Sequence, residues 1–77
     1  GLAPAIINNM IEAFDQLKKS GVTILLVEHD MDAVFRIADV ITVMVNGQLL
    51  ECGPPAQIKA SVAVQQAYLG TEDSFHV

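Results

Sequence analysis

The chain has 77 residues, 52% of them hydrophobic, and nine acidic against four basic side chains give a formal net charge of −5. That charge repels nucleic-acid phosphates and anionic lipid headgroups, so nucleic acid is not expected as a partner and no membrane surface is expected to hold the chain by charge. A chain this short buries only about 60–65% of its unfolded surface, so the apolar content predicts a piece of a larger domain, or an oligomer that covers the excess. Its start at Gly1, without an initiator Met, reads the same way.

The first element is the clearest. Ile6, Ile7, Met10, Ile11, Phe14 and Leu17 recur at helical spacing, with Asn8, Asn9, Glu12, Gln16 and Lys19 outside the stripe, which predicts a helix over residues 4–20. Pro4 suits its first turn, Lys18 and Lys19 suit the negative end of its dipole, and Gly21 stops it.

Thr23-Ile24-Leu25-Leu26-Val27 comes next, rich in β-branched residues and without polar alternation. Such a run suits a strand covered on both faces, as in a parallel sheet, and it leads into Glu28-His29-Asp30 just past the strand's carboxyl end. Ligands bind at that edge of open α/β sheets. Asp30 can cap a short helix whose face carries Val34, Ile37 and Ala38, with Asp39 closing it.

Residues 40–45 are a second β-branched run, and Asn46-Gly47 joins it to 48–52 by the strongest short-range hairpin signal, with positive φ expected at both turn residues. Gly53-Pro54-Pro55 ends the second arm. A short helical stretch from Ala56 leads to Ser61, which can cap a helix from Val62 to Leu69 ended by Gly70; residues 71–77 read as a mobile tail. Helix, strand, helix, strand, strand, helix, helix is an α/β order, and its first strand lacks a partner.

The chemistry narrows to one cluster. Held by neighbouring carboxylates or backbone, His29 could donate to a phosphate oxygen or an attacking water, although a histidine between two acidic residues is more often a solvated surface group. His29, Cys52 and His76 carry zinc-ligand chemistry, but no paired C-x-x-C or H-x-x-x-H element preorganises them, so no metal site is expected. Cys52 is the sole cysteine, which excludes a disulfide within the chain, makes a reducing compartment the easier reading, and leaves it the role of a small packed side chain. No G-x-x-x-x-G-K-[ST] loop is present, no apolar run approaches the ~20 residues that span a bilayer, and no basic-then-apolar leader opens the chain.

Thr23 to Met31 (TILLVEHDM), Ala38 to Val45 (ADVITVMV), Asn46-Gly47-Gln48 and Glu51-Cys52-Gly53-Pro54-Pro55 together resemble the carboxyl-terminal part of an ABC transporter ATP-binding subunit. The resemblance covers roughly residues 1–70, and the ordering of the pieces is more specific than any one of them. The EHDM form, the GLAP start and the AYLG ending at Ala67 to Gly70 look most like the subgroup serving branched-chain amino acid uptake.

The resemblance implies the carboxyl-terminal part of a P-loop NTPase domain, with a parallel strand, a β-hairpin and flanking helices, over residues 1–70. It implies that His29 is the switch histidine, hydrogen-bonding the γ-phosphate of ATP and helping to hold the attacking water. Gly1, Leu2, Ala3 and Pro4 look like the end of the D-loop at the dimer interface, with Pro4 standing where many members carry Asp. It implies ATP and Mg²⁺ in the complete subunit, a second ATP-binding subunit and transmembrane permease subunits as partners, and a place at the cytoplasmic face of the plasma membrane. The Walker A, Q-loop, signature and Walker B elements are missing from these 77 residues, so the chain alone is expected neither to bind nor to hydrolyse ATP. The alternative is a non-enzymatic α/β module that self-associates through an open strand edge, and self-association is expected on either reading.

Overall fold

The computed structural model describes residues 3–68; Gly1 and Leu2, the Gly70 helix stop and the tail expected over 71–77 lie outside the described residues. The described residues belong to two compact units divided after Ile37.

In the first unit, α1 (Pro4–Lys19) starts on Pro4 without a side-chain cap from Ala3. It ends as the sequence predicts. Gly21 takes φ +90°, its N–H donates to Lys18 O at 3.0 Å, and Val22 N–H donates to Leu17 O at 3.0 Å. This pair of bonds is the Schellman closure, which a left-handed residue permits and glycine adopts without a Cβ penalty. Of the apolar stripe, Ile7 is buried, Met10, Ile11 and Phe14 are half-buried, and Ile6 and Leu17 are exposed.

α2 (Met31–Ile37) begins where Asp30 was expected to cap it and stops at Ile37, two residues before Asp39. Its buried side chains are Met31 and Ala33, whereas Val34, Ile37 and Ala38 are half-buried. The seven-residue helix is too short for the 3.6-residue period to pick its buried side unambiguously. Asn8 of α1 accepts a 2.6 Å hydrogen bond from Arg36 Nη2 of α2, tying the two helices of this unit.

Between α1 and α2 the expected parallel strand does not form. Residues 22–30 belong to neither helix nor strand, and among the described residues the only sheet is a two-stranded antiparallel one. Leu25 and Val27 are 91% and 88% exposed, while Ile24 and Leu26 are half-buried. Propensity makes a residue suitable for a strand, but the strand exists only when its N–H and C=O groups meet a partner.

The second unit is built on β1 (Ile41–Val45) and β2 (Gln48–Gly53), paired antiparallel. Asn46 at φ +51° and Gly47 at φ +78° make the turn that was predicted from the sequence. Val43 faces Glu51 but Met44 faces Leu49, so Leu50 is the extra residue of a bulge. β1 alternates, with Ile41 and Val43 buried and Thr42 and Met44 exposed, so one face is covered rather than two.

α3 (Pro55–Ala60) comes after the hairpin, and α4 (Val62–Ala67) after α3. Pro54 and Pro55 therefore do two jobs: they end β2 and they start α3, one residue earlier than expected. Ser61 caps α4, its Oγ accepting from Val64 N–H at 3.2 Å. The same hydroxyl donates to Glu51 Oε1 at 3.3 Å, and Gln57 Nε2 donates to Glu51 Oε2 at 2.8 Å and to Cys52 O at 3.1 Å. This polar clasp joins β2 to both helices. Ile58 and Val64 beside it are fully buried.

Candidate functional site

The apolar run ends at Glu28, and local hydrogen bonds fix the next two residues. Glu28 is partly buried, and its Oε1 turns back to accept from the backbone N–H of His29 at 2.9 Å and of Asp30 at 3.3 Å. Asp30 then serves α2: its Oδ1 accepts from Ala33 N–H at 3.3 Å, and its carbonyl accepts from Val34 N–H at 3.0 Å.

His29 therefore sits between two braced neighbours with its own side chain free of the protein core. The imidazole is 98% exposed against 22% for Glu28. Its Nε2 lies 3.9 Å from Glu28 Oε1, a contact that is ionic only when the ring is protonated and that solvent screens at this exposure. Burial does not suppress its donor capacity, and either ring nitrogen is open to a ligand. An imidazole placed this way can donate one hydrogen bond to an oxyanion.

The same residues do not make a complete phosphate site. Glu28 Oε1 and Asp30 Oδ1 already accept backbone N–H groups, and Lys and Arg side chains are absent from residues 22–35. For Mg²⁺ the fit is worse, because among the described residues no group of three or more His, Cys, Asp and Glu side chains is arranged to hold a metal ion. Cys52, expected as a packed residue, is exposed, with its Sγ 3.3 Å from Thr42 Oγ1; His76 lies outside the described residues. Of the D-loop candidates, Ala3 is the residue before α1 and Pro4 is its first, while Gly1 and Leu2 lie outside the described residues.

Sequence reasoning identified the Glu28-His29-Asp30 cluster but not what Glu28 does there. The imidazole was read as held by neighbouring carboxylates or by backbone; Glu28 Oε1 lies 3.9 Å from the ring, and its hydrogen bonds go to the main chain on either side of it.

The chain matches the family model described as branched-chain amino acid ATP-binding cassette transporter over residues 48–74, a stretch that takes in β2, α3 and α4. Curated relatives match over more of it. The chain is 40% identical over 74 residues to the probable branched-chain amino acid transport ATP-binding protein LivG of Archaeoglobus fulgidus, covering 96% of this chain and 29% of the relative. It belongs to the ABC transporter ATP-binding subunit family.

Two further relatives are also ATP-binding proteins of transport or import by name. It is 37% identical over 70 residues to the high-affinity branched-chain amino acid transport ATP-binding protein BraG of Pseudomonas aeruginosa, covering 91% of this chain and 30% of that protein. It is 35% identical over 77 residues to the methionine import ATP-binding protein MetN of Haemophilus ducreyi, covering 99% of the chain and 22% of the relative. The chain thus spans less than a third of the length of these curated relatives and corresponds to a carboxyl-terminal stretch of such a subunit. No solved structure matches it. Among the described residues no helix is long and apolar enough to cross a membrane.

Proposed function

We propose that this chain is the carboxyl-terminal part of the nucleotide-hydrolysing domain of an ABC importer, one that takes up branched-chain amino acids, and that His29 contacts the γ-phosphate of ATP there. The observation that carries the reading is the placement of His29: a fully exposed imidazole at the end of an apolar run, on a backbone braced from both sides. Within a complete domain the run over residues 23–27 is the strand beside the nucleotide, covered by upstream strands and helices. Its exposed Leu25 and Val27 supply the apolar surface such neighbours need.

In that domain His29 donates to a γ-phosphate oxygen and orients the attacking water. Lysine, Mg²⁺ and the phosphate-cradling loop come from outside these residues, and the first four residues meet a second ATP-binding subunit. The permease subunits hold the assembly at the cytoplasmic face of the membrane. By itself the 77-residue chain neither binds nor hydrolyses ATP, since one imidazole donor does not hold a triphosphate.

Calorimetry separates the two parts of the proposal. Titrating Mg²⁺ and ATP into the isolated chain is expected to give no micromolar binding, whereas the full-length subunit binds. Micromolar binding by the isolated chain contradicts the proposal. The exposed Leu25 and Val27 also support the non-enzymatic self-association reading, which predicts stable oligomers of the chain and no nucleotide dependence when the upstream sequence is present.

A further inference from the structure

The Glu28 carboxylate has a role that its charge alone does not explain. A glutamate beside a histidine ordinarily pairs with the ring or points to solvent. Here one oxygen, Oε1, accepts both the His29 and the Asp30 amide, while the ring nitrogen stays 3.9 Å away. Those two N–H groups lie after the apolar run and before the first turn of α2, where no ladder or helix bond takes them. Asp30 Oδ1 serves α2 instead, accepting from Ala33 N–H. The peptide on each side of His29 Cα is thus fixed by Glu28. Because the imidazole itself is 98% exposed, main-chain bracing sets the position and direction of the Cα–Cβ bond from which the ring reaches out.

We propose that Glu28 is the positioning residue for His29, holding the backbone from which the imidazole reaches its phosphate, and that it acts as a hydrogen-bond acceptor rather than as a charge. This rests on the reading of His29 as a γ-phosphate contact. Misplacing a catalytic contact by about 1 Å costs up to about a hundredfold in rate, so loosening this loop is visible in turnover.

The test uses the full-length ATP-binding subunit and compares Glu28→Ala, Glu28→Leu, Glu28→Gln and His29→Ala. Glu28→Leu keeps the bulk of a partly buried side chain without an acceptor; Glu28→Gln loses the charge but keeps an oxygen able to take both amides. Glu28→Ala and Glu28→Leu are expected to lower kcat by about tenfold or more with KM for ATP changed by less than about twofold, and Glu28→Gln to return kcat to within about threefold of wild type. A merely structural residue would shift stability without that rescue or that kcat–KM split. Wild-type kcat in Glu28→Leu beside a collapsed kcat in His29→Ala overturns the positioning role and leaves the His29 reading standing. Glu28→Gln as slow as Glu28→Leu overturns it too, and so does failure of all three Glu28 variants to fold. Wild-type turnover in His29→Ala overturns the His29 reading and this inference with it.

Discussion

Two β-branched runs of the same chain meet opposite fates. The run over residues 40–45 supplies β1 (Ile41–Val45), because Asn46-Gly47 returns the chain onto it and β2 pairs with each of its residues within a dozen positions. The run over residues 23–27 is equally suited to a strand and forms none, leaving Leu25 and Val27 almost fully exposed. The difference is one of sequence distance. A hairpin carries its partner with it, whereas a strand for a parallel sheet depends on a crossover connection and on residues far away in the chain.

The contrast between the two runs breaks most severely if the open run is charged. In the full-length subunit Val27→Lys places an unpaired ammonium where the proposal puts a covered strand. It is expected to cost about 3–5 kcal/mol or to prevent folding, measured by chemical denaturation. In the isolated 77-residue chain the same substitution is expected to stay within about 0.5 kcal/mol of wild type, because the side chain is already in solvent. Equal effects in the two settings contradict the proposed burial.

The hairpin unit responds locally. Ile58→Ala empties a fully buried position and is expected to cost about 2–5 kcal/mol, read from the denaturant midpoint of the chain. Gly47→Ala puts a Cβ on a residue at φ +78° and is expected to cost about 1–2 kcal/mol, without steric contact as a second cause, since nothing lies within 4 Å of that Cβ. Ser61→Ala is expected to cost about 1 kcal/mol, removing the Val64 cap together with one bond of the Glu51 clasp.

The same division separates the legible parts of the sequence from the rest. Elements specified by neighbouring residues appear where they were read: the Pro4 start and Gly21 stop of α1, the Asp30 and Ser61 caps, and the Asn46-Gly47 turn. The features that were missed depend on geometry that no local pattern encodes. The bulge at Leu50 needs the register of two strands, the buried side of α2 needs its neighbours in space, and the Glu28 bonds need the path of the loop they fold onto. His29 itself was legible as a candidate residue. Its exposure was legible too, since a histidine between two acidic residues past the end of an apolar run reads as solvated, and the side chain is 98% exposed.

The most direct test of the account is ATP turnover by the full-length subunit with His29→Ala, read beside its thermal midpoint. Loss of a preorganised donor to developing charge costs on the order of a hundredfold to a thousandfold in kcat. The account predicts a loss of that size with the midpoint unchanged, since the imidazole is 98% exposed. Wild-type turnover, or a loss explained by a collapsed midpoint, would contradict it.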